Sequence, residues 1–192
     1  TNFEHHSVCA QRHLPVNMQG FIELWPFKTI NPMVGIVSCM YVNNEIGTIQ
    51  PIKKIAQGIL ENTNAWLHVD AVQAVGHIPI DVKDLQCDML SASGHKFGAP
   101  KGIGFLYAQD NIGLKQMING GKQEQGLRPG TENVLGIISM ASALEDAVEH
   151  MEERNEHIKY LRDRLLDKLL QIPGSHLNGS LENRVCSNIN IR

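Results

Sequence analysis

The chain contains no long apolar run and no surplus of basic residues, and both absences exclude classes of protein. None of its apolar stretches approaches the roughly 18 residues that a membrane-spanning helix needs. Its 192 residues include 17 basic and 20 acidic ones, a formal net charge of -3, which leaves no excess positive charge for nucleic-acid phosphates. The first residues also lack the basic and then apolar layout of a signal peptide. The composition therefore predicts a cytoplasmic protein that binds neither membranes nor nucleic acids.

Cysteine is scarce and widely spaced. The four cysteines stand 30, 48 and 99 positions apart, so they form neither a CxxC pair nor a dense disulfide framework. The nine histidines show no HxH or HExxH spacing, so no metal site is predicted. We expect reduced thiols, most of them in the core, at Cys9, Cys39, Cys87 and Cys186.

Common phosphate-binding and nucleophile motifs are missing as well. Gly120-Gly121-Lys122 has no Ser or Thr after the lysine and is therefore not a P-loop. Gly102-Ile103-Gly104 lacks the third glycine of a dinucleotide fingerprint, and no GxSxG nucleophile elbow occurs.

Short apolar runs alternate with segments of helical periodicity. The runs predict strands at 34–41, 65–70, 89–93 and 104–108. Helical spacing begins at Pro51 and again near Thr131, continuing as one long helix or two in series to Pro173-Gly174. The charged stretch 149–156 predicts a solvated face or a bend. This alternation predicts an α/β fold, with a large domain over residues 1–148 and a linking helix and the start of a small C-terminal domain over 149–192.

Polar side chains follow the first three predicted strands. Ligands of open α/β sheets bind at the carboxyl ends of the strands, so these side chains are expected to converge. Ordinary structural alternatives exist: Asp70 can cap the helical turn after it, Lys96 can be a solvated lysine, and His95 a hydrogen-bonded structural histidine. The residues concerned are Asn43, Asn44, Asp70, Gln73, Ser93, His95 and Lys96.

The surroundings of Lys96 favour a chemical role. It follows Gly94-His95 at a strand end, under a loop rich in glycine and proline, so we expect it to be partly desolvated. Desolvation favours the neutral amine that forms a Schiff base. Asp70 at a neighbouring strand end suits the ring nitrogen of pyridoxal phosphate, because a carboxylate keeps that nitrogen protonated. Ser93 and the backbone amides of the turn are candidates for holding the phosphate.

Four motifs occur together: Asn43-Asn44-Glu45-Ile46-Gly47, His68-Val69-Asp70-Ala71-Val72-Gln73, Ser93-Gly94-His95-Lys96 and Arg128-Pro129-Gly130-Thr131-Glu132-Asn133. In this order and spacing they resemble the cysteine desulfurase and selenocysteine lyase family. That family belongs to the fold-type I, class V aminotransferase group of pyridoxal-phosphate proteins. The resemblance covers the chain from about Val34 to the end. It implies a mixed, mostly parallel sheet flanked by helices, followed by the start of a small α/β domain.

The resemblance implies a role for each matching residue. Lys96 would bind the cofactor covalently, Asp70 would pair with the ring nitrogen, and Gln73 would hydrogen-bond the ring oxygen. Ser93 and His95 would hold the phosphate, and His95 would also transfer protons.

Three further roles follow from the resemblance. Asn44 would contact the cofactor or the substrate carboxylate, and Glu4-His5 resembles a Glu-His pair of the family whose histidine stacks on the cofactor ring. Thr131 would reach the cofactor phosphate of the partner subunit in a homodimer, and it is also a candidate N-cap of the long helix. The segment from His5 to Val34 is shorter than in the family, which implies a deletion or missing residues.

The implied activity releases alanine from L-cysteine and passes the sulfur, through an enzyme persulfide, to an acceptor protein for iron–sulfur or thio-cofactor assembly. Selenocysteine lyase is the alternative enzyme, since the fourth motif occurs in both branches. No cysteine here matches the nucleophile of the family, and residues 186–192 alternate like a strand that has just begun. We therefore expect a piece of a longer protein. An incomplete fragment that only binds cofactor or dimerises is the remaining alternative.

Overall fold

A four-stranded mixed sheet organises the part of the chain that the computed structural model describes, residues 4–5, 7–8 and 13–192. Its strands are β1 (Ile36–Met40), β2 (Trp66–Asp70), β3 (Met89–Ser93) and β4 (Gly104–Ala108). They lie in the order β1-β2-β3-β4, with the first three parallel and β4 antiparallel to β3. The predicted mixed, mostly parallel sheet is confirmed.

The helices are α1 (Ile52–Asn62), α2 (Val82–Leu85), α3 (Val134–Glu149) and α4 (Met151–Leu169). Short 3-10 turns occupy Trp25–Thr29, Gly94–Lys96, Asp110–Ile112 and Glu124–Gly126. The long helical stretch is thus two helices in series, with His150 between them. Within the described residues, no helix is both long and apolar enough to cross a membrane.

The hydrophobic core joins α1 to one face of the sheet. Side chains alternate between the two faces of a strand, and Leu67 and Val69 of β2 are fully buried. The apolar side chains of α1 recur at helical spacing on one side, and they belong to the same hydrophobic cluster. Burying a side chain of this size stabilises the fold by roughly 1.5–3 kcal/mol. The buried α1 residues are Ile52, Ile55, Ala56 and Ile59.

The opposite face of the sheet is more polar and partly open. Ser38, His68 and Ser91, one from each parallel strand, form a hydrogen-bonded row across it. Ile36 of β1 is 57% exposed and Leu106 of β4 is 54% exposed. The apolar run 34–41 is typical of a parallel strand that is buried on both faces, but β1 is not covered on this face at Ile36.

The α3 helix buries less of its apolar surface than its spacing suggests. Gly136 and Ala147 are buried, whereas Val134, Ile138 and Val148 are each more than half exposed. The charged stretch after it provides a bend, as predicted. It also contacts the loops of the sheet: Arg154 Nη2 donates to Gly76 O at 2.6 Å, and Asn155 Nδ2 donates to His77 O at 2.7 Å.

The last residues form a narrow antiparallel loop. His176 and Arg192 exchange two backbone hydrogen bonds of 2.8 and 3.0 Å, and Asn178 N donates to Asn190 O at 2.9 Å. The predicted strand at 186–192 is present only as an isolated bridge between Leu177 and Ile191.

Candidate active site

The three parallel strands end side by side, and the predicted site residues follow their ends. Met40 pairs with Asp70, and Asp70 with Ser91. Tyr41 N donates to Asp70 O at 2.8 Å, and Ala71 N donates to Ser91 O at 2.9 Å, so the connecting segments begin next to one another. The structure therefore brings Asn44, Asp70, Gln73, Ser93, His95 and Lys96 to one edge of the sheet.

Asp70 is a buried carboxylate at the centre of this edge. It is 5% exposed, and its Oδ1 accepts a hydrogen bond from Val72 N at 3.0 Å. Asp70 therefore caps the turn that follows it, which was the structural alternative predicted for this residue. Among the described residues nothing donates to the second oxygen, Oδ2, so the carboxylate keeps the capacity to accept a hydrogen bond from a ligand.

Ser93 and His95 form a polar pair at the end of β3. Ser93 Oγ lies 2.8 Å from His95 Nδ1, so the other ring nitrogen, Nε2, faces away from this bond. The buried Gly94 between them is closely packed, because a Cβ there would lie 2.9 Å from Ala99 Cβ. The turn therefore has a fixed shape, with both side chains on one short segment.

Lys96 is exposed, so the prediction of a partly desolvated lysine is wrong. The 3-10 turn directs Phe97 into the core, where it is 7% exposed, and leaves the preceding lysine outside. Pro100 of the loop that was expected to cover it is itself exposed.

His77 holds the backbone of Lys96 in place, and no sequence pattern indicated this contact. Its Nε2 donates to Lys96 O at 3.0 Å, and its own carbonyl accepts from Asn155 of α4. Neither partner stands at a recognisable spacing from His77, so this contact is visible only in three dimensions.

Glu4 connects the N-terminal residues to the same edge. Its Oε1 accepts a hydrogen bond of 2.9 Å from Met40 N, the last residue of β1. The adjacent His5 is exposed, and its Nδ1 lies 2.9 Å from Ser7 Oγ. The contact of Glu4 brings the neighbouring His5 near the site, which is compatible with the predicted role of His5.

The other predicted residues have different surroundings. Asn44 is exposed and Gln73 half-buried at the edge of the sheet. Thr131 is exposed before α3, and within the described chain it makes no hydrogen bond to the residues of this edge. Its predicted N-cap role is wrong, because Asn133 is closer to the first turn and its Oδ1 accepts from Gly136 N at 3.0 Å.

The three cysteines in the described part of the chain are poor nucleophiles. Cys39 and Cys87 are fully buried, as predicted, and burial raises the pKa of Cys39 and raises that of Cys87 to about 11. Burial also raises the pKa of the half-buried Cys186, whose Sγ donates to Asn155 Oδ1 at 3.3 Å. Cys9 lies outside the described residues. Within the described chain, no group of three metal-ligating side chains is present.

His68 lies beneath this edge, two residues before Asp70 on the same face. Its Nδ1 is 2.8 Å from Ser38 Oγ and its Nε2 is 3.1 Å from Ser91 Oγ. Burial lowers the pKa of His68, although the Asp70 and Glu4 carboxylates partly oppose that shift. Both ring nitrogens are therefore engaged by neutral hydroxyls, and the ring is held neutral.

This neutral histidine predicts a loss of stability in acid. The folded pKa of His68 lies below the value of about 6.5 for an unfolded histidine, so the unfolded chain binds the proton first as the pH falls. We expect the free energy of unfolding to decrease below about pH 6.5, and to decrease less in His68→Gln. Urea unfolding at pH 7.5 and pH 5.0 measures this, with the exposed His157→Gln as control. An equal pH dependence in all three proteins would contradict it.

Comparisons with known proteins agree with this architecture. The family model of the class-V aminotransferases matches residues 4–192. Cysteine desulfurase IscS of Methanosarcina thermophila is 43% identical, in an alignment that covers 100% of this chain and 50% of that protein. A solved NifS-like protein superposes with a TM-score of 0.89 at 37% identity, covering 94% of this chain and 50% of that one.

A solved structure of SspA in complex with cysteine superposes with a TM-score of 0.76 at 34% identity, over 93% of this chain and 49% of that chain. This chain therefore spans about half the length of the relatives that it matches. The family model covers nearly all of the chain, and the solved NifS-like protein shares its fold. The chain belongs to the class-V aminotransferase family.

Proposed function

We propose that this chain is the cofactor-binding part of a pyridoxal-phosphate-dependent cysteine desulfurase. The observation that carries the proposal is the convergence of Asp70, the Ser93–His95 pair and Lys96 at the carboxyl edge of the sheet. The identity of 43% to a cysteine desulfurase over the whole chain supports the same assignment.

The donor set at this edge fits pyridoxal phosphate. The cofactor has a protonated ring nitrogen, an aldehyde and an anionic phosphate. Asp70 offers a buried carboxylate with one oxygen still able to accept, Lys96 offers a primary amine, and Ser93 and His95 offer donors for the phosphate. Each part of the cofactor thus has a residue of suitable chemistry.

The proposed mechanism assigns one task to each side chain. When bound, the cofactor supplies an electron-accepting ring that stabilises a carbanion formed next to it. Asp70 would accept a hydrogen bond from the ring nitrogen and would keep that nitrogen protonated. Lys96 Nζ would hold the cofactor aldehyde and, as a free amine, would take up a proton. His95 uses Nδ1 to bind Ser93, which leaves Nε2 to hold or transfer a proton.

The sulfur chemistry is proposed to use a cysteine that is not among Cys39, Cys87 and Cys186. Their raised pKa values leave little thiolate at neutral pH, and thiolate is the nucleophile. L-Cysteine is the proposed substrate, as the SspA complex with cysteine suggests, and an acceptor protein receives the sulfur.

We also propose a homodimer in which Thr131 reaches the partner's site. The exposed apolar residues Val134, Leu135 and Ile138 in the first turns of α3 support an interface next to this threonine. Residues 1–148 and 149–192 are proposed as the large domain and the start of the small one.

Spectroscopic titration tests the cofactor assignment. We expect the purified chain to bind pyridoxal phosphate saturably, with a change in visible absorbance at one equivalent per chain. Adding L-cysteine is expected to change that spectrum again, and the full-length protein is expected to release alanine. No saturable binding would overturn the proposal. A response to L-selenocysteine but not to L-cysteine would favour the lyase instead.

A further inference from the structure

The turn that carries Asn44 is built around the buried side chain of Asn43. Asn43 Oδ1 accepts hydrogen bonds of 2.9 Å from both Glu45 N and Ile46 N. Gly47 N donates to Asn43 O at 3.0 Å. The residue before Asn44 is thus fixed, while Asn44 itself is exposed to solvent.

The residue after Asn44 is held from the far end of the chain. Asn188 Nδ2 donates to Glu45 O at 3.0 Å, and Asn190 Nδ2 donates to the same oxygen at 3.1 Å. These partners are 143 and 145 positions from Glu45. Backbone pairing supports the contact, because Val185 N donates to Gly47 O at 3.0 Å.

Arg184 determines which way the Asn188 amide points. This buried guanidinium can only donate hydrogen bonds, and its Nη1 lies 3.0 Å from Asn188 Oδ1. The amide oxygen therefore faces Arg184, and the NH2 group is left for Glu45 O. Arg184 is itself fixed by donating to Ser180 O at 2.8 Å and to Asn178 O.

The Asn190 amide is oriented in the same manner. Asn178 Nδ2 donates to Asn190 Oδ1 at 2.8 Å, so the NH2 group of Asn190 again faces Glu45 O. The turn also fits closely against Asn188, since a Cβ on Gly47 would lie 2.7 Å from Asn188 Cβ. The contact between the two segments therefore has one defined geometry.

We infer that Asn188 and Asn190 are positioning residues for Asn44, and that through them the C-terminal segment sets the place of Asn44 in the site. The inference rests on the proposed function, because it takes Asn44 as a contact of the cofactor or of an amino-acid carboxylate. Both neighbours of Asn44 are held, so a displacement of the C-terminal segment moves Asn44 with it. The binding of the amino acid is thereby coupled to the position of residues that begin the small domain.

The test is the double variant Asn188→Asp with Asn190→Asp. Each aspartate keeps the size of the side chain and the oxygen that faces Arg184 or Asn178, but it cannot donate to Glu45 O. We expect hydrogen exchange at the amides of residues 45–47 to become at least tenfold faster, as the loss of one or two hydrogen bonds implies. The cofactor-loaded chain is expected to need about ten times more L-cysteine for its half-maximal spectral change.

The control is Asn183→Asp with Ser187→Asp, which adds the same charge at two exposed positions of the same segment. It is expected to change neither measurement. Borohydride capture of the cofactor on Lys96 is expected to be equal in wild type and both variants, because Asn44 does not hold the aldehyde.

Two results would overturn the inference: unchanged exchange at residues 45–47 in the Asn188/Asn190 variant, or faster exchange with an unchanged requirement for L-cysteine. Failure of the proposed function has a different signature. In that case the wild-type chain captures no cofactor on Lys96, while amide exchange still decides whether Asn188 and Asn190 hold the turn.

Discussion

Replacement of Lys96 by alanine is expected to abolish covalent capture of pyridoxal phosphate. After reduction with borohydride, the wild-type chain should gain the mass of one reduced cofactor, and Lys96→Ala should gain none. The reason is chemical, because only an amine forms the reducible bond with the aldehyde. Asp70, Ser93 and His95 remain in the variant, so reversible, non-covalent binding is expected to persist. Intact mass spectrometry and peptide mapping measure the adduct.

Lys101→Ala is the matched control for this experiment. Lys101 is exposed in the same loop, five positions after Lys96, so it is equally accessible to a reactive aldehyde. We expect the control to retain the full adduct on Lys96. Capture that survives in Lys96→Ala, or an adduct mapped to Lys101 in the wild type, would contradict the assignment and favour non-specific modification.

Replacement of Gly104 by alanine is expected to destabilise the fold by about 3 kcal/mol. A Cβ at this position would lie 2.5 Å from Ala92 O, and a backbone atom of a central strand cannot move aside as a flexible side chain can. Gly104 pairs with Ser93, so the same displacement reaches the turn that carries Lys96. Urea unfolding is expected to show the loss of stability, together with weaker cofactor binding.

Gly35→Ala is the control for this second prediction. Gly35 precedes β1, and nothing lies within 4 Å of a Cβ added there. The free energy of unfolding of the Gly35→Ala variant is expected to stay within about 0.5 kcal/mol of the wild-type value. If Gly104→Ala proved as stable as Gly35→Ala, the close approach of β3 and β4 would be disproved.

The sheet and the candidate site at its carboxyl edge were predictable because they depend on local patterns. Short apolar runs indicated β1 to β3, and the polar residues after each run necessarily meet when parallel strands lie side by side. The exposure of Lys96 was not predictable in this way. It depends on which residue at the end of the Gly94–Lys96 turn enters the core, and Phe97 rather than Lys96 has the apolar surface that burial stabilises.

Contacts between distant segments account for the rest. The hydrogen bond from His77 to Lys96 and the approach of Asn188 to Glu45 have no periodicity and no motif of their own. At the start of α3, two residues of the same motif, Thr131 and Asn133, have side chains suited to an N-cap. The N-cap is set by the residue at which the backbone becomes helical, and α3 begins at Val134, directly after Asn133.

The order of the strands has a consequence for how this polypeptide behaves at high concentration. In the described sheet β1 and β4 are the two outer strands, and each has a partly exposed apolar residue, Ile36 or Leu106. Outer strands with unpaired peptide groups and apolar side chains are templates for pairing with another chain. These two strands therefore favour association of the isolated chain at high concentration, and a charged substitution at Ile36 or Leu106 is expected to reduce it.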